Sequence, residues 1–367
     1  MRVLTSLLSG LSAAVLISQA GIAQTDGDEG TSGVPQATST SINSADGSAP
    51  LLASTSAPVV EASSAPVPRP IDTMSRAAAV YGTYHGDVSD VREKPFSSVG
   101  DIEGALTSLG AQDSDQLSRG WLAYSALVAS QSEEFRASVR DIEGFYGRDR
   151  VLLGLRNDFT YAGTLDGGTE AVNAAISALD TDTKRIDIAA AYVKEQAYTL
   201  QSAGWAKSKV GSRKKALLAS LGQGRSVDTG LMQALASDEG AQALAQAGQA
   251  GSPSLWEGVQ TAAQTIRFPL LDGALFNSGH EEELRARQDI ANRINTLAAY
   301  RLLGIEGQDA NQLQTALADP ASERCMIKAQ LNLQQCVAAV HQQHEVPFCI
   351  SEHALAEISE CMDVVTD

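Results

Sequence analysis

The four cysteines of this 367-residue chain constrain its fold most, because all of them lie within the last 43 residues. Their positions are mirror-related: Cys325 and Cys361 are centred on residue 343, and Cys336 and Cys349 half a residue before it. Two antiparallel helices joined by a turn near residues 341–347 would therefore pair Cys325 with Cys361 and Cys336 with Cys349. An even number of cysteines is typical of disulfides when a protein is exported.

The helical phase of these cysteines supports the hairpin. Cys325 and Cys336 are eleven residues apart, about 20° more than three helical turns, so they share one face. Cys349 and Cys361 are twelve residues apart, which puts them about 120° out of phase on an ideal helix. We therefore expect Cys349 to precede the second helix, with Ser351 at its start. Residues 320–367 are predicted to form a disulfide-stapled helical hairpin.

This arrangement resembles the twin-CxnC helical hairpins of the CHCH type, which carry two nested disulfides. The resemblance covers about 40 residues, and the spacings here are Cx10C and Cx11C rather than Cx9C. It implies the hairpin geometry and no function. The other two pairings of four cysteines remain open, although they break the antiparallel symmetry. Zinc sites and redox-active pairs favour short CxxC spacings, which are absent here.

The N-terminus has the pattern of a signal peptide. Met1 and Arg2 precede an apolar stretch to Ala20, and small residues follow up to Ala23. We expect cleavage after Ala23, with an uncleaved membrane anchor as the alternative. No later stretch reaches the roughly 18 apolar residues that a membrane helix needs, so we expect no transmembrane segment in the mature chain. The protein is predicted to be exported, as a periplasmic or secreted protein.

Residues 24–72 are predicted to be a disordered linker. The segment is rich in Ser, Thr, Ala and Pro, and the first aromatic residue of the chain is Tyr81. Such a composition buries too little apolar surface to offset the entropy of ordering. The linker could tether the folded part or form a glycosylated stalk, and a linker without a role is the alternative. Its prolines are Pro35, Pro50, Pro58, Pro66, Pro68 and Pro70.

Residues 73–319 show the periodicity of helices and almost no alternation of strand type. We therefore predict an all-α fold, a multi-helix array or bundle. Predicted caps are Asp113 or Ser114, Ser132, Thr169 and Asp319, and Gly304 is predicted to close a helix with a left-handed residue. The apolar stripes are Leu117–Trp121–Tyr124–Val128, Phe135–Val139–Ile142–Tyr146, Val172–Ile176–Leu179, Ile186–Ala190–Val193–Ala197–Leu200 and Ile290–Ile294–Leu297.

The charge of the chain indicates which classes of partner it can bind. The chain has 44 acidic and 27 basic residues and a net charge of −17, which argues against nucleic-acid binding. The densest basic segment, residues 207–215, could dock an anionic partner such as a wall polymer, a lipid headgroup or an acidic protein. The alternative is a solvated helix face. Its basic residues are Lys207, Lys209, Arg213, Lys214 and Lys215.

No motif assigns a catalytic, cofactor or metal site. His341, His344 and His353 could hold a metal, but we favour a polar turn at the hairpin tip. His280 with Glu283 is a second ligand pair, interpreted instead as an acid-rich helix start. The SxxK motif at Ser212 lacks its partner motifs, and Glu143 is a weak candidate for the acid of a muramidase. We predict no cofactor.

The sequence therefore favours an exported, non-enzymatic helical interaction or scaffold protein of the cell envelope. Its partner would be an envelope protein or a wall polymer. One alternative is a muramidase-like enzyme that acts on peptidoglycan. The other is a metal or small-ligand binder that uses the histidines of the hairpin.

Overall fold

A computed structural model describes residues 71–257, 287–305 and 310–362. Within these ranges the regular elements are helices, apart from one isolated β-bridge between Lys209 and Gln342. The all-α prediction is confirmed. The predicted signal peptide and nearly all of the predicted linker lie outside the described residues.

The helices are numbered along the chain. The first six are α1 (Thr73–Glu93), α2 (Val99–Gly110), α3 (Ser114–Ala129), α4 (Glu133–Tyr146), α5 (Arg148–Asn157) and α6 (Gly168–Leu200). The next six are α7 (Lys214–Ser220), α8 (Thr229–Ala236), α9 (Asp238–Ala247), α10 (Gln288–Leu302), α11 (Ala310–Leu317) and α12 (Pro320–Ala339). The last helical arm comprises α13 (Val346–Cys349), a π-helical stretch (Ile350–Ala356) and α14 (Glu357–Cys361).

Helix starts follow side-chain capping, as predicted at three of four positions. Asp113, Ser132 and Asp319 each accept a hydrogen bond from a backbone N–H of the first turn. The prediction of Thr169 as a cap is wrong, because the cap position is Gly167 and α6 begins at Gly168, two residues earlier than predicted. Gly167 has a φ of +76°, and a Cβ there would lie 2.4 Å from the backbone nitrogen of Phe135. This position therefore requires glycine rather than a side-chain cap.

Helix α6 is longer than its sequence pattern suggested. The stripes at residues 172–179 and 186–200 belong to one helix of 33 residues, about 50 Å long at 1.5 Å per residue. No glycine or proline interrupts residues 169–200. The closing motif at Gly304 is confirmed, since Gly304 has a φ of +63° and the Ile305 N–H donates to the Tyr300 carbonyl.

Helix α3 lies at the centre of the fold. Every residue from 120 to 130 is buried, and the helix packs against α1, α6, α10 and α12. Gly120 allows α1 to approach closely, because a Cβ there would lie 3.0 Å from the Ala77 carbonyl oxygen and 3.1 Å from the Tyr81 nitrogen. A helix buried on all sides needs small residues at such contacts.

The C-terminal hairpin has the predicted disulfides. Cys325 is bonded to Cys361 and Cys336 to Cys349, with Cα–Cα distances of 5.5 and 5.6 Å. Helix α12 forms the first arm, and residues 340–345 form the turn.

The second arm corrects one detail of the prediction. It begins at Val346, so Cys349 lies inside the helix, and Ser351 donates from its hydroxyl to the Ala190 carbonyl of α6 at 2.9 Å rather than capping. The arm runs through a π-helical stretch, and a π-bulge takes up about one extra residue. The twelve-residue step from Cys349 to Cys361 then turns through about the same angle as eleven residues of an ideal α-helix. This removes the 120° mismatch and gives both arms the same cysteine phase.

The hairpin packs directly on the helical core. Tyr84 of α1 donates from its hydroxyl to the Ala354 carbonyl at 3.0 Å, and Ser359 donates to the Thr183 carbonyl at 3.3 Å. The buried face of α12 includes Met326, Ala329, Leu333 and Val337. None of the described helices is long and apolar enough to cross a membrane.

Candidate functional site: a basic surface on the hairpin turn

The basic segment that follows α6 is attached to the turn of the hairpin. It contains two short 3-10 turns, Trp205–Lys207 and Gly211–Arg213, before α7. The Val210 N–H donates to the His341 carbonyl, and the Gln343 N–H donates to the Ser208 carbonyl, both at 3.1 Å. Two main-chain hydrogen bonds therefore hold the segment against the turn.

Side chains strengthen this attachment. Within the segment, the side chains of Ala206 and Val210 are buried. The His344 ring nitrogen Nδ1 lies 3.3 Å from the Ala206 carbonyl oxygen. Lys214 donates from Nζ to the Ala338 carbonyl at 2.9 Å, which places a cation at the C-terminal end of α12, where the helix dipole favours it.

We define the basic surface as Lys207, Lys209, Arg213, Lys214 and Lys215. Arg213 is paired with Glu103, with an Nε–Oε1 distance of 3.2 Å. Lys207, Lys209 and Lys215 are exposed and form no ion pair within the described part of the chain. Three ammonium groups are thus available to phosphate, sulfate or carboxylate groups, which they attract as point charges.

The structure does not gather the histidines into a metal site. His341 is exposed, and its backbone N–H donates a hydrogen bond to Glu345 Oε2 at 2.6 Å. The His353 Nδ1 lies 3.0 Å from Glu357 Oε1, one helical turn further along its own arm. Among the described residues, no group of three His, Cys, Asp or Glu side chains could hold a metal ion. His280 and Glu283 lie outside those residues.

The enzyme candidates occupy surface positions. Glu143 lies near the end of α4 and forms a loose ion pair with Arg148 at 3.8 Å. Ser212 of the SxxK motif is exposed in the turn before α7. A small cavity of about 20 Å³, lined by polar groups of Gln112, Ser114 and Gln330 among others, has room for about one water molecule.

A buried polar cluster that was not predicted from the sequence lies between α1 and α6. Asp182 of α6 is fully buried, and its Oδ2 accepts hydrogen bonds from the Tyr81 hydroxyl at 3.1 Å and the Trp256 Nε1 at 3.0 Å. Its Oδ1 accepts from the Ser254 hydroxyl. Asp182 therefore fixes the segment of residues 252–257 against α6.

Arg185 lies one turn further along α6 and is only 4% exposed. Its guanidinium donates to the carbonyls of His85 and Trp256 at 3.2 and 3.4 Å. It also pairs with Glu257, with an Nε–Oε2 distance of 3.3 Å, and Glu257 in turn binds Arg92. The guanidinium thus connects the buried cluster to the surface.

Burial dominates the electrostatics of this cluster. It raises the pKa of Asp182 to about 7, although hydrogen bonds from Ser254 and the charge of Arg185 act against the rise. Burial, with the neighbouring charge of Arg185, lowers the pKa of His85 well below its usual value. His85 is therefore neutral at physiological pH, packed edge-on to Tyr81 at 4.4 Å between ring centroids and stacked on Trp256.

A second buried carboxylate ties a loop to the core. Asp87 of α1 pairs with Arg225 at 3.2 Å and accepts a hydrogen bond from Gln112 Nε2 at 3.0 Å. Burial raises the pKa of Asp87 to about 7, while the charge of Arg225 acts to lower it.

A weak signal for the buried cluster was present in the sequence. Asp182 and Arg185 fall on the buried stripe of α6 between Leu179 and Ile186. Charged residues on an apolar stripe are fully buried only when they are paired. The partners could not be found because His85 and Trp256 lie about 100 and 74 positions away along the chain.

We find no family model, curated protein or solved structure that matches this chain. The function proposed below therefore rests on the chemistry of the described residues and on the sequence.

Proposed function

We propose that this chain is an exported helical interaction or scaffold protein of the cell envelope, and that its basic surface docks an anionic wall polymer. The observation that carries the proposal is the attachment of five cations to a disulfide-stapled turn. A run of basic residues that is only a solvated helix face would not be expected to form two main-chain hydrogen bonds to an adjacent hairpin.

Two features support export. Nested disulfides form and persist in oxidising compartments, and both bonds of this chain lie in the hairpin that carries the turn. The apolar leader that ends near Ala23 has the order of regions that a signal peptidase recognises. Cleavage there would leave a mature chain that begins with the linker.

Charge contrast supports docking. The chain carries a net charge of −17, yet residues 207–215 contain five basic residues and no acidic one. A cationic patch on an acidic protein gives a polyanion one favoured contact point and repels it elsewhere. A polymer with repeated phosphates or carboxylates would engage Lys207, Lys209 and Lys215 together.

The test is co-sedimentation of the purified, oxidised protein with isolated peptidoglycan sacculi at low and high salt. We expect the variant K207A/K209A/K215A to bind at least about tenfold more weakly at low salt, with binding of the wild type weakened by salt. The matched control is K184A/K194A, which removes two lysines of α6 that are already paired with Asp180 and Glu352.

Two outcomes would overturn the proposal. Unchanged binding of the triple variant would show that the basic surface is not the contact. Release of soluble fragments from the sacculi, abolished by E143Q, would replace the scaffold role with a muramidase activity.

A further inference from the structure

The corner between α4 and α5 is the most exposed apolar feature of the described chain. Helix α4 ends at Tyr146 and α5 begins at Arg148, so Gly147 alone connects them, with a φ of +82°. The Gly147 N–H donates to the Glu143 carbonyl at 2.9 Å. Glycine adopts this backbone conformation without strain, which makes the corner tight.

Three large side chains at this corner face solvent. Phe145 is 81% exposed, and Tyr146 and Leu153 are each 52% exposed. We call these three residues the aromatic corner. They are three of the seven large apolar side chains that the described residues expose. Tyr146 was predicted to lie on a buried stripe, which is wrong, because that stripe is buried only at Phe135 and Val139.

The aromatic corner is built on anchored helices. Helix α5 buries Val151, Leu152 and Leu155 on its opposite face, and Arg148 donates to the Gly304 carbonyl at 3.0 Å. The rings of Phe145 and Tyr146 pack edge-on to each other, with centroids 4.7 Å apart. The exposed rings therefore lie at a corner that is anchored through α5 and Arg148.

The charges around the rings are balanced. Residues 140–150 contain three arginines and three acids, which are Arg140, Arg148, Arg150, Asp141, Glu143 and Asp149. This differs from the basic surface, where the cations have almost no acidic neighbours. A balanced rim suits a ligand surface that itself presents both signs.

We propose that the aromatic corner inserts into the headgroup region of a zwitterionic phospholipid bilayer. Aromatic side chains favour the membrane interface, where the ring is shielded from water and polar groups stay hydrated. Guanidinium groups bind lipid phosphates, often through two parallel hydrogen bonds, while the carboxylates of the rim can pair with headgroup amines.

Two observations favour this occupant over others. A stable protein–protein interface buries roughly 1,200–2,000 Å² in total, far more than three side chains supply, so a second copy of the chain is a poor fit. A strongly anionic bilayer would repel a chain with a net charge of −17. A zwitterionic surface imposes no such repulsion.

The inference is independent of the proposed docking of a polymer, since it uses other residues and another kind of force. If both hold, the protein joins a membrane surface to a wall polymer. Binding at the aromatic corner should depend on salt much less than binding at the basic surface, because the inserted rings supply an apolar contact.

The test is co-sedimentation with lipid vesicles. The purified protein without its leader is mixed either with phosphatidylcholine vesicles or with vesicles partly composed of phosphatidylglycerol. We expect binding to phosphatidylcholine that salt weakens only slightly, and, in the variant K207A/K209A/K215A, less binding to the anionic vesicles. The variant F145S/Y146S should bind about tenfold more weakly, because the inserted rings supply the apolar contact. The matched control I188S/Y198S removes two comparably exposed side chains of α6, which are 60% and 59% exposed.

A second readout does not depend on the stability of the double variant. In F145W the new indole should shift its fluorescence to shorter wavelength when vesicles are added, while Y198W should not respond. Absence of vesicle binding by the wild type, or equal loss in F145S/Y146S and I188S/Y198S, would overturn the inference. So would binding that is salt-sensitive and lost in K207A/K209A/K215A, or dimerisation in solution that F145S/Y146S abolishes.

Discussion

The hairpin and the buried cluster hold distant parts of the chain together by opposite means. In the hairpin, two covalent bonds join α12 to α13 and to α14, and the bonded cysteines are 13 and 36 positions apart. In the buried cluster, one carboxylate collects hydrogen bonds from Tyr81, Ser254 and Trp256. A disulfide acts mainly by restricting the unfolded chain, whereas a desolvated carboxylate acts in the folded state and is costly to leave unpaired. The two regions should therefore respond differently to mutation and to pH.

The largest effect is expected for Asp182→Ala. It leaves three buried donors without their acceptor and removes one of the two carboxylates near Arg185, the other being Glu257, so we expect a loss of about 3–5 kcal/mol in the free energy of unfolding. Urea denaturation monitored by circular dichroism measures this. Asp180→Ala is the control, since it removes only an exposed ion pair with Lys184 and should cost less than about 1 kcal/mol. Similar losses in both variants would contradict a structural role for the buried cluster.

Removal of the inner disulfide is expected to have the next largest effect. Replacing Cys336 and Cys349 together by Ala opens a 13-residue loop and should lower the free energy of unfolding by about 2–3 kcal/mol. The amide protons of Val210 and Gln343 should exchange faster, because their hydrogen bonds join the basic segment to the turn. Unchanged exchange at these amides would show that the turn does not need the disulfide to hold the basic surface.

A smaller loss of stability is expected when a methyl group is added next to the buried cluster. A Cβ at Gly82 of α1 would lie 2.6 Å from the Trp256 ring, so Gly82→Ala should destabilise the protein by about 1–3 kcal/mol. Tryptophan fluorescence should change because the ring must shift. Gly104→Ala in α2 is the control, since its Cβ would meet nothing within 4 Å and alanine favours helices.

The smallest change, taken per pH unit, is expected in the pH dependence of stability that Asp182 and Asp87 produce. In the folded state the pKa values of Asp182 and Asp87 are both raised to about 7, above their values in the unfolded chain. The folded protein therefore binds more protons between about pH 4 and 7, and the stability from these groups is lost as pH rises through 7. Asp182→Asn should reduce the slope near pH 6 by about 1 kcal/mol per pH unit. An unchanged slope would show that Asp182 does not titrate in this range.

The sequence predicted those features that depend on local spacing. The caps at Asp113 and Asp319 and the helix end at Gly304 depend only on residues within one or two helical turns. The pairing of the cysteines follows from their mirror-related positions in the sequence. The π-helical stretch was missed because nothing in residues 350–356 specifies it locally. It is observed in an arm that is bonded at Cys349 and Cys361 and that packs on α6.

The buried cluster and the aromatic corner could not be predicted for a different reason. Asp182 binds groups from two other parts of the chain, and only the packing of α1 and of residues 252–257 against α6 brings them together. Tyr146 continues an apolar stripe, but α4 is buried near its start and projects at its end. Periodicity identifies an apolar face without stating how far along the helix a neighbour covers it.

The order of the helices along the chain also affects when the core can be completed, because the hairpin follows α1–α11. Met326, Leu333 and Leu355 fill space against helices that are synthesised much earlier. The core around α1, α3 and α6 stays incomplete until residues 320–361 have been made, because no earlier segment supplies these side chains. Because domains generally fold as units, we expect the core of this protein to be completed only after the hairpin has been synthesised.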